Sequence, residues 1–426
     1  MKKTDKKKQE RKVMNLLKKT RNTSFYIMLF IITIFQATCL FTLIAKADEQ
    51  YRTSIFIAFG IYILVEYLYF IGARLILKRY GFEVELIAFL LTSIGLTITA
   101  SVYPDAILKQ FIAVVIGIVG FVVLQWFMRE LKPCLALRVP VAVLALGLMA
   151  FAVVFAKYTN GARNWIYIGG ISIQPSELVK VAFVFVGAAS LEKLQSNKSL
   201  TKFIVFAFAC VGALFLMYDF GTALIFFFTF IVISFMRSGD MRTIFIICTI
   251  ALMGGLLILL FKPYVANRFM AFGHVWENFD TSGYQQTRTM IYSASGGLFG
   301  VGIGNGHLRD IFAATEDLVF GVVCEEFGMI MAGAILLSYV ALLVYSIRHA
   351  KYARSTFYAI SACGASSLML FQAALNVFGV NDLLPLTGVT LPFVSRGGSS
   401  IICCWMLLAF IKAVDRSTYR YGGVRQ

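Results

Sequence analysis

LVFGVVCEEFGMIMAGAILLSYVALLVYSI, residues 318–347, is the stretch that decides the fold class. It carries two charges, Glu325 and Glu326, and otherwise stays apolar for longer than the roughly 20 residues a helix needs to cross a bilayer. Similar runs flank it near 24–45, 54–73, 83–101, 108–128, 139–156, 175–193, 203–218, 220–236, 243–261, 357–379 and 398–414. The run 203–218 abuts its successor at Asp219, so those two also read as one broken re-entrant unit. Over 426 residues the chain is 59% hydrophobic and 14% charged, against about 25% charged in an average soluble chain. No soluble core of this length hides so much apolar surface, whereas a bilayer solvates it. The expected fold is an all-α polytopic membrane protein with about twelve transmembrane helices.

The formal charge of +17 is concentrated rather than spread. Ten of the 39 Lys and Arg precede residue 22. Such a tail reads as a cytoplasmic topology signal that also adheres to anionic membrane lipids, and not as a nucleic-acid surface. With the tail inside, alternate loops place several cation groups on the same face. These are Arg74, Lys78 and Arg79; Arg129, Lys132 and Arg138; Lys193, Lys198 and Lys202; Arg237 and Arg242; and Arg348, Lys351 and Arg354. Lys412, Arg416, Arg420 and Arg425 join them at the C-terminus. Both termini are then cytoplasmic, and the polar segment 262–317, between the ninth and tenth runs, is the large extracellular loop. No cleavable signal peptide is expected. Of the eight cysteines, Cys134 sits in a basic loop and the rest in apolar runs, with no CxxC pair. Neither a disulfide framework nor a zinc site follows.

Four stretches are too polar for mere spanning, and polar groups at membrane depth are functional candidates. In NGARNWIYIGGISIQPSELVK (160–180), Trp165 and Tyr167 suit an interfacial belt, and Pro175 fits the first turn of the next helix. Glu177 and Lys180 are three apart and share one helix face. They read either as a structural ion pair or, for Lys180 and Arg163, as substrate contacts. In YDFGTA (218–223), Asp219 reads as a helix cap. The third stretch, WENFDTSGYQQTRTMIYSASGGLFGVGIGNGHLRD (276–310), combines carboxylates, aromatics and a glycine run. It lacks the phosphate-loop pattern of a nucleotide site and reads as a closely packed re-entrant segment leading to Glu325 and Glu326. The fourth, NDLLPLTGVTLPFVSRGGSS (381–400), contains Pro392, Ser399 and a lone Arg396 suited to a phosphate-bearing lipid or to a helix end. His274, His307 and His349 are scattered and read as surface residues.

These stretches resemble the RodA/FtsW/SpoVE (SEDS) family of peptidoglycan polymerases. The resemblance rests on GARNWI with QPSELVK, on DFGTA, on GYQ followed by SGGLFGVGIGNG, on DLVFGVVCEEFG, and on LPLTGVTLPFVSRGGSS, in family order. The family core has ten spans, so 24–80 reads as two added N-terminal helices. Residues 1–23 form the basic cytoplasmic tail, 81–415 the glycosyltransferase core and 416–426 the C-terminal tail. Three departures stand out. Arg396 replaces the usual aromatic residue, YDFGTA replaces PDLGTA, and Asn278 occupies the place of the family's catalytic aspartate, six residues before Tyr284.

The resemblance implies an inverting, lipid II-dependent glycosyltransferase of the bacterial cytoplasmic membrane, acting in elongation, division or sporulation. Asp280 is the expected catalytic acid, with Glu277 as its alternative. Arg163, Lys180, Glu177, Arg288, Arg396, Gln285 and Ser399 are the expected substrate contacts. Asp219, Glu325, Glu326, Pro175 and Pro392 are expected to be structural. The implied partners are lipid II, the growing glycan strand, membrane lipids and a class B penicillin-binding protein. No metal-ligating set is apparent, though a divalent cation such as Mg can serve a pyrophosphate. A lipid-linked precursor flippase, or a weakly catalytic scaffold for the transpeptidase, are the competing readings.

Overall fold

A computed structural model describes residues 2–76, 81–159, 162–168, 171–192, 197–239 and 272–415, together with positions 242, 245 and 249. The helices are α1 (Lys2–Lys46), α2 (Glu49–Leu75), α3 (Glu83–Val102), α4 (Ile107–Phe127), α5 (Leu131–Ala136), α6 (Arg138–Phe155), α7 (Pro175–Ser190), α8 (Asn197–Leu216) and α9 (Phe220–Ser238). They continue as α10 (Tyr284–Ser295), α11 (Val319–Ala350), α12 (Thr356–Val380) and α13 (Gly398–Ala413). Among the described residues, eight helices are long and apolar enough to cross a membrane. The apolar parts of α8 and α13 are shorter, and α7 has 16 residues. The protein is a multi-pass membrane protein. The expected run 243–261 lies almost wholly outside the described residues, as do Lys78, Arg79, Lys193 and the C-terminal tail.

A small sheet corrects the purely helical expectation. Between α6 and α7 lie β1 (Lys157–Thr159), β2 (Ala162–Ile168) and β3 (Ile171–Ile173), antiparallel in that order. The cause is local. Trp165, Ile166, Tyr167 and Ile168 are aromatic or β-branched, and a Gly-Gly pair separates them from Ile171–Ile173. That is the signature of a tight hairpin.

In lipid, helices are held by close packing and polar contacts rather than by hydrophobic exclusion from water. Trp405 of α13 shows how this works. Its buried ring lies 5.0 Å from Phe89 of α3, 5.9 Å from Phe121 of α4 and 5.8 Å from Phe393. Glycines make the approach possible: a Cβ on Gly95 would sit 2.6 Å from the Phe393 carbonyl oxygen, and one on Gly117 would sit 3.0 Å from Trp405. At the end of the bundle where α3 begins, Lys412 donates to Glu85 at 3.0 Å and to the Gly81 carbonyl. There too, Tyr358 donates to the Met128 carbonyl at 2.8 Å and Arg354 to the Arg129 carbonyl at 3.0 Å. These contacts tie that end shut.

At the other end, α11 is broken. Gly328 has φ 81° and ψ 171°, which interrupts the helical ladder. The freed groups are taken up by the glycine run. Val301 and Gly302 amides donate to the Glu325 and Glu326 carbonyls at 2.8 and 3.1 Å, while Met329 and Ile330 amides donate to the Gly297 and Leu298 carbonyls. A Cβ at Gly300 would lie 2.2 Å from the Glu326 carbonyl oxygen, so this exchange requires glycine. Irregular backbone at such depth is tolerated because protein, not lipid, satisfies it.

Candidate active site

The polar stretches meet at the end of the bundle that carries the sheet, the segment 272–318 and the segment 381–397. Pro175 opens α7 at its first turn, where its missing N–H is harmless. One turn on, Lys180 Nζ donates to Glu177 Oε1 at 2.7 Å and to Gln372 Oε1 of α12 at 2.9 Å. Gln372 passes the chain on, donating to the Thr390 carbonyl at 2.8 Å, and the Thr390 hydroxyl lies 2.8 Å from that of Ser400. Glu177, Lys180, Gln372 and Ser400 are all buried. The cation is therefore compensated by a carboxylate and an amide, as burial of a charge demands.

Three helix starts converge beside this network. Asp219 caps α9, its Oδ1 accepting the Thr222 amide at 3.1 Å. Its Oδ2 accepts the side-chain amides of Asn164, on β2, at 3.1 Å and of Gln174, just before α7, at 3.2 Å. The Gln174 backbone amide donates to Ser399, in the first turn of α13, at 3.4 Å. Asp219 thus caps α9 and also draws β2 toward the start of α7. Arg163 is exposed, with its backbone amide bonded to the Met217 carbonyl at 2.8 Å.

Arg396 is engaged. Its Nη2 lies 2.5 Å from Glu316 Oε1, its guanidinium stands 4.4 Å from the Tyr103 ring centre, and its amide donates to the Thr315 carbonyl at 2.7 Å. The Pro392 carbonyl accepts the buried Tyr339 hydroxyl of α11 at 2.6 Å. On the far side of the 316–318 segment, Asn376 donates to the Asp317 and Val389 carbonyls, each at 2.8 Å.

The turn before α10 holds the candidate acids. Asp280 and Glu277 are both exposed, and Glu277 lies 3.3 Å from His274 Nδ1. Asn278 shapes the turn: its Nδ2 donates to the His274 carbonyl at 3.0 Å, and its own carbonyl accepts the Thr281 and Gly283 amides. Arg288 faces this turn, with its guanidinium 4.5 Å from the Phe279 ring and 5.5 Å from Tyr284. Gln285 donates to the Phe312 carbonyl at 3.0 Å. Glu325 accepts the His307 and Leu308 amides, at 2.6 and 3.0 Å. Glu326 accepts the Ser101 hydroxyl at 2.6 Å and the Gly304 amide at 3.2 Å. Among the described residues no three His, Cys, Asp or Glu side chains group to hold a metal ion.

The sequence reading missed Gln372, Asn376, Gln110 and Glu316. Gln372 and Asn376 were detectable, standing four apart in the otherwise apolar stretch 368–380 and therefore on one helix face. Gln110 accepts the Gly397 amide at 3.2 Å, a pairing 287 residues apart that only the fold reveals.

The family model of the FtsW/RodA/SpoVE cell cycle proteins matches residues 75–420. The probable peptidoglycan glycosyltransferase FtsW of Buchnera aphidicola is 30% identical over 289 residues, covering 65% of this chain and 72% of that one. The peptidoglycan glycosyltransferase RodA of Mycobacterium leprae is 29% identical over 274 residues, covering 61% of this chain and 59% of that one. A chain from a solved peptidoglycan synthase complex, in which polymerization and crosslinking are coordinated, superposes with a TM-score of 0.66 at 25% identity. That likeness covers 80% of this chain and 99% of the other. With a family match across most of its length and the polar stretches assembled at one end of the bundle, the chain belongs to the FtsW/RodA/SpoVE family of cell cycle proteins.

Proposed function

We infer that the chain is a peptidoglycan glycosyltransferase that polymerises lipid II on the outer face of the bacterial cytoplasmic membrane. One observation carries the reading. The starts of α7 and α13 meet beside the Lys180–Glu177 pair, at the end of the bundle that also carries Arg163, Arg288, Arg396 and Asp280. Helix N-termini and cations together suit a pyrophosphate. The bias of Lys and Arg toward the opposite loops supports an outer position for this end and an inner one for both termini. The ten-span core is residues 81–415, preceded by the added hairpin 24–80.

In this reading Asp280 accepts the proton of the acceptor sugar hydroxyl as that oxygen attacks the anomeric carbon of the donor. The bond to undecaprenyl pyrophosphate breaks with inversion. Arg288, Arg396 and Arg163 hold the charge that grows on the leaving group, with Gln285 and Ser399 as polar contacts nearby. Lys180 acts through Glu177 and Gln372, fixing the helix start. Both substrates are lipid-linked, so no nucleotide enters, and no step is routed through a cation. The likeness to a chain of a complex that couples polymerization to crosslinking supports a class B penicillin-binding protein as partner.

A second reading, a scaffold of low activity, is favoured by Asn278, whose amide cannot take a proton. Reconstitution with lipid II decides between them. Glycan polymer lost in Asp280→Ala and kept in Asn278→Ala supports the enzyme. Lipid II bound but never polymerised, with the transpeptidase present, supports the scaffold.

A further inference from the structure

The family match begins at residue 75, so α1 and nearly all of α2 precede it. This hairpin is nonetheless built into the core. Midway along the apolar part of α1, Gln36 donates to Glu66 of α2 at 2.6 Å and to Ser93 of α3 at 2.9 Å, and all three side chains are fully buried. Tyr62 of α2 donates to the Phe89 carbonyl at 2.7 Å. An amide joining three helices fixes the rotation of α1, because slippage would strand a polar group in hydrocarbon.

So oriented, α1 sends two side chains toward the broken part of α11. The Phe35 ring lies 6.2 Å from that of Phe327, the residue before the break, tilted by 39°. About three turns further on, Lys46 reaches the glycine run, donating to the Ile303 carbonyl and to Asn305 Oδ1, each at 2.6 Å. Asn305 in turn donates to the Val301 carbonyl at 2.8 Å. Glu326 takes the Gly304 amide. The run is gripped between an ammonium that binds its carbonyl side and a carboxylate that binds its amide side. A Cβ on Gly304, whose φ is +75°, would lie 3.2 Å from Lys46 Cδ, so the Lys46 stem packs directly against this glycine.

We propose that Lys46 is a positioning residue: through it the added hairpin clamps the run 301–306 and so sets the shape of the outer site. This rests on the glycosyltransferase reading for its effect on rate, and on geometry alone for the clamp. Four of the run's amides, those of Val301, Gly302, Gly304 and Asn305, are bonded within the protein. Their ordering depends on the carbonyl side being held as well, and a small misplacement at a site of this kind is expensive in rate.

The test pairs hydrogen exchange with polymerisation, using the full chain in lipid nanodiscs. In Lys46→Met, amides 301–306 are expected to exchange about tenfold faster while α3 and α12 keep their protection, and kcat on lipid II is expected to fall about tenfold at unchanged KM. Lys46→Arg, which keeps the charge and the donors, is expected to restore both. A structural fault would instead raise exchange throughout the bundle. Unchanged exchange at 301–306 in Lys46→Met overturns the clamp. Faster exchange with unaltered polymerisation overturns the positioning role. A wild-type chain that makes no polymer refutes the glycosyltransferase reading, and the exchange data then still decide the clamp.

Discussion

The Lys180 ammonium stands 2.7 Å from the Glu177 carboxylate, with both side chains sealed from solvent. Removing one member of a buried pair strands the other, at about 3–5 kcal/mol, whereas replacing both by apolar groups is often close to neutral. Lys180→Met is therefore expected to lower the unfolding midpoint in detergent sharply, and Lys180→Met with Glu177→Leu to recover most of it. If Lys180 served only the fold, activity would return with stability. Because Lys180 also fixes the start of α7, the double variant is expected to stay impaired in lipid II polymerisation.

Asp280 and Glu277 make a sharper contrast. Loss of a general base costs about 10²–10⁴-fold in rate, so Asp280→Asn is expected to lose at least two orders of magnitude. Glu277→Gln, whose parent side chain is engaged with His274, is expected to stay near wild type. Steady-state polymerisation at saturating lipid II separates them. The reverse order would move the base to Glu277.

Gly95 tests the packing of α3. An alanine there brings Cβ to 2.6 Å from the Phe393 carbonyl oxygen, and backbone cannot yield as a side chain does. Overpacking of this kind costs about 1–3 kcal/mol. Gly95→Ala is expected to lower the midpoint of thermal unfolding measurably. Gly147→Ala, where a Cβ meets nothing within 4 Å, is the control that should not.

Cys134 gives a pH prediction outside the spans. Burial pushes its thiol up to about 11, opposed by the nearby Arg354. The thiolate is the reactive form, so maleimide labelling of Cys134 is expected to be slow at pH 7 and to rise steadily toward pH 10. Rapid labelling at pH 7 in the folded protein would contradict the burial of this side chain.

The sequence made the membrane fold legible because apolar run length is a direct reading of bilayer thickness, and the helices reproduce the expected runs wherever they are described. The cap at Asp219 was legible for a similar reason: its partner, Thr222, is three residues away. The sheet was not read, although Trp165–Ile168 and the Gly-Gly pair carry the signal, because one short hairpin is faint beside so many long apolar runs. Pairings such as Gln110 with Gly397 and Ser101 with Glu326 escape any local rule. They depend on which helices become neighbours. The same holds for Glu316, which the fold brings to face Arg396.

The break at Gly328 bears on how the chain is made. Residues 297–302 precede 325–330 into the membrane, yet the Val301, Gly302, Met329 and Ile330 amides find their carbonyl partners only across the two segments. Neither can settle alone in hydrocarbon, where an unpaired amide or carbonyl is heavily penalised. The two segments therefore have to enter the bilayer interior as one paired unit, and a change that unpairs one leaves the other's amides and carbonyls without partners.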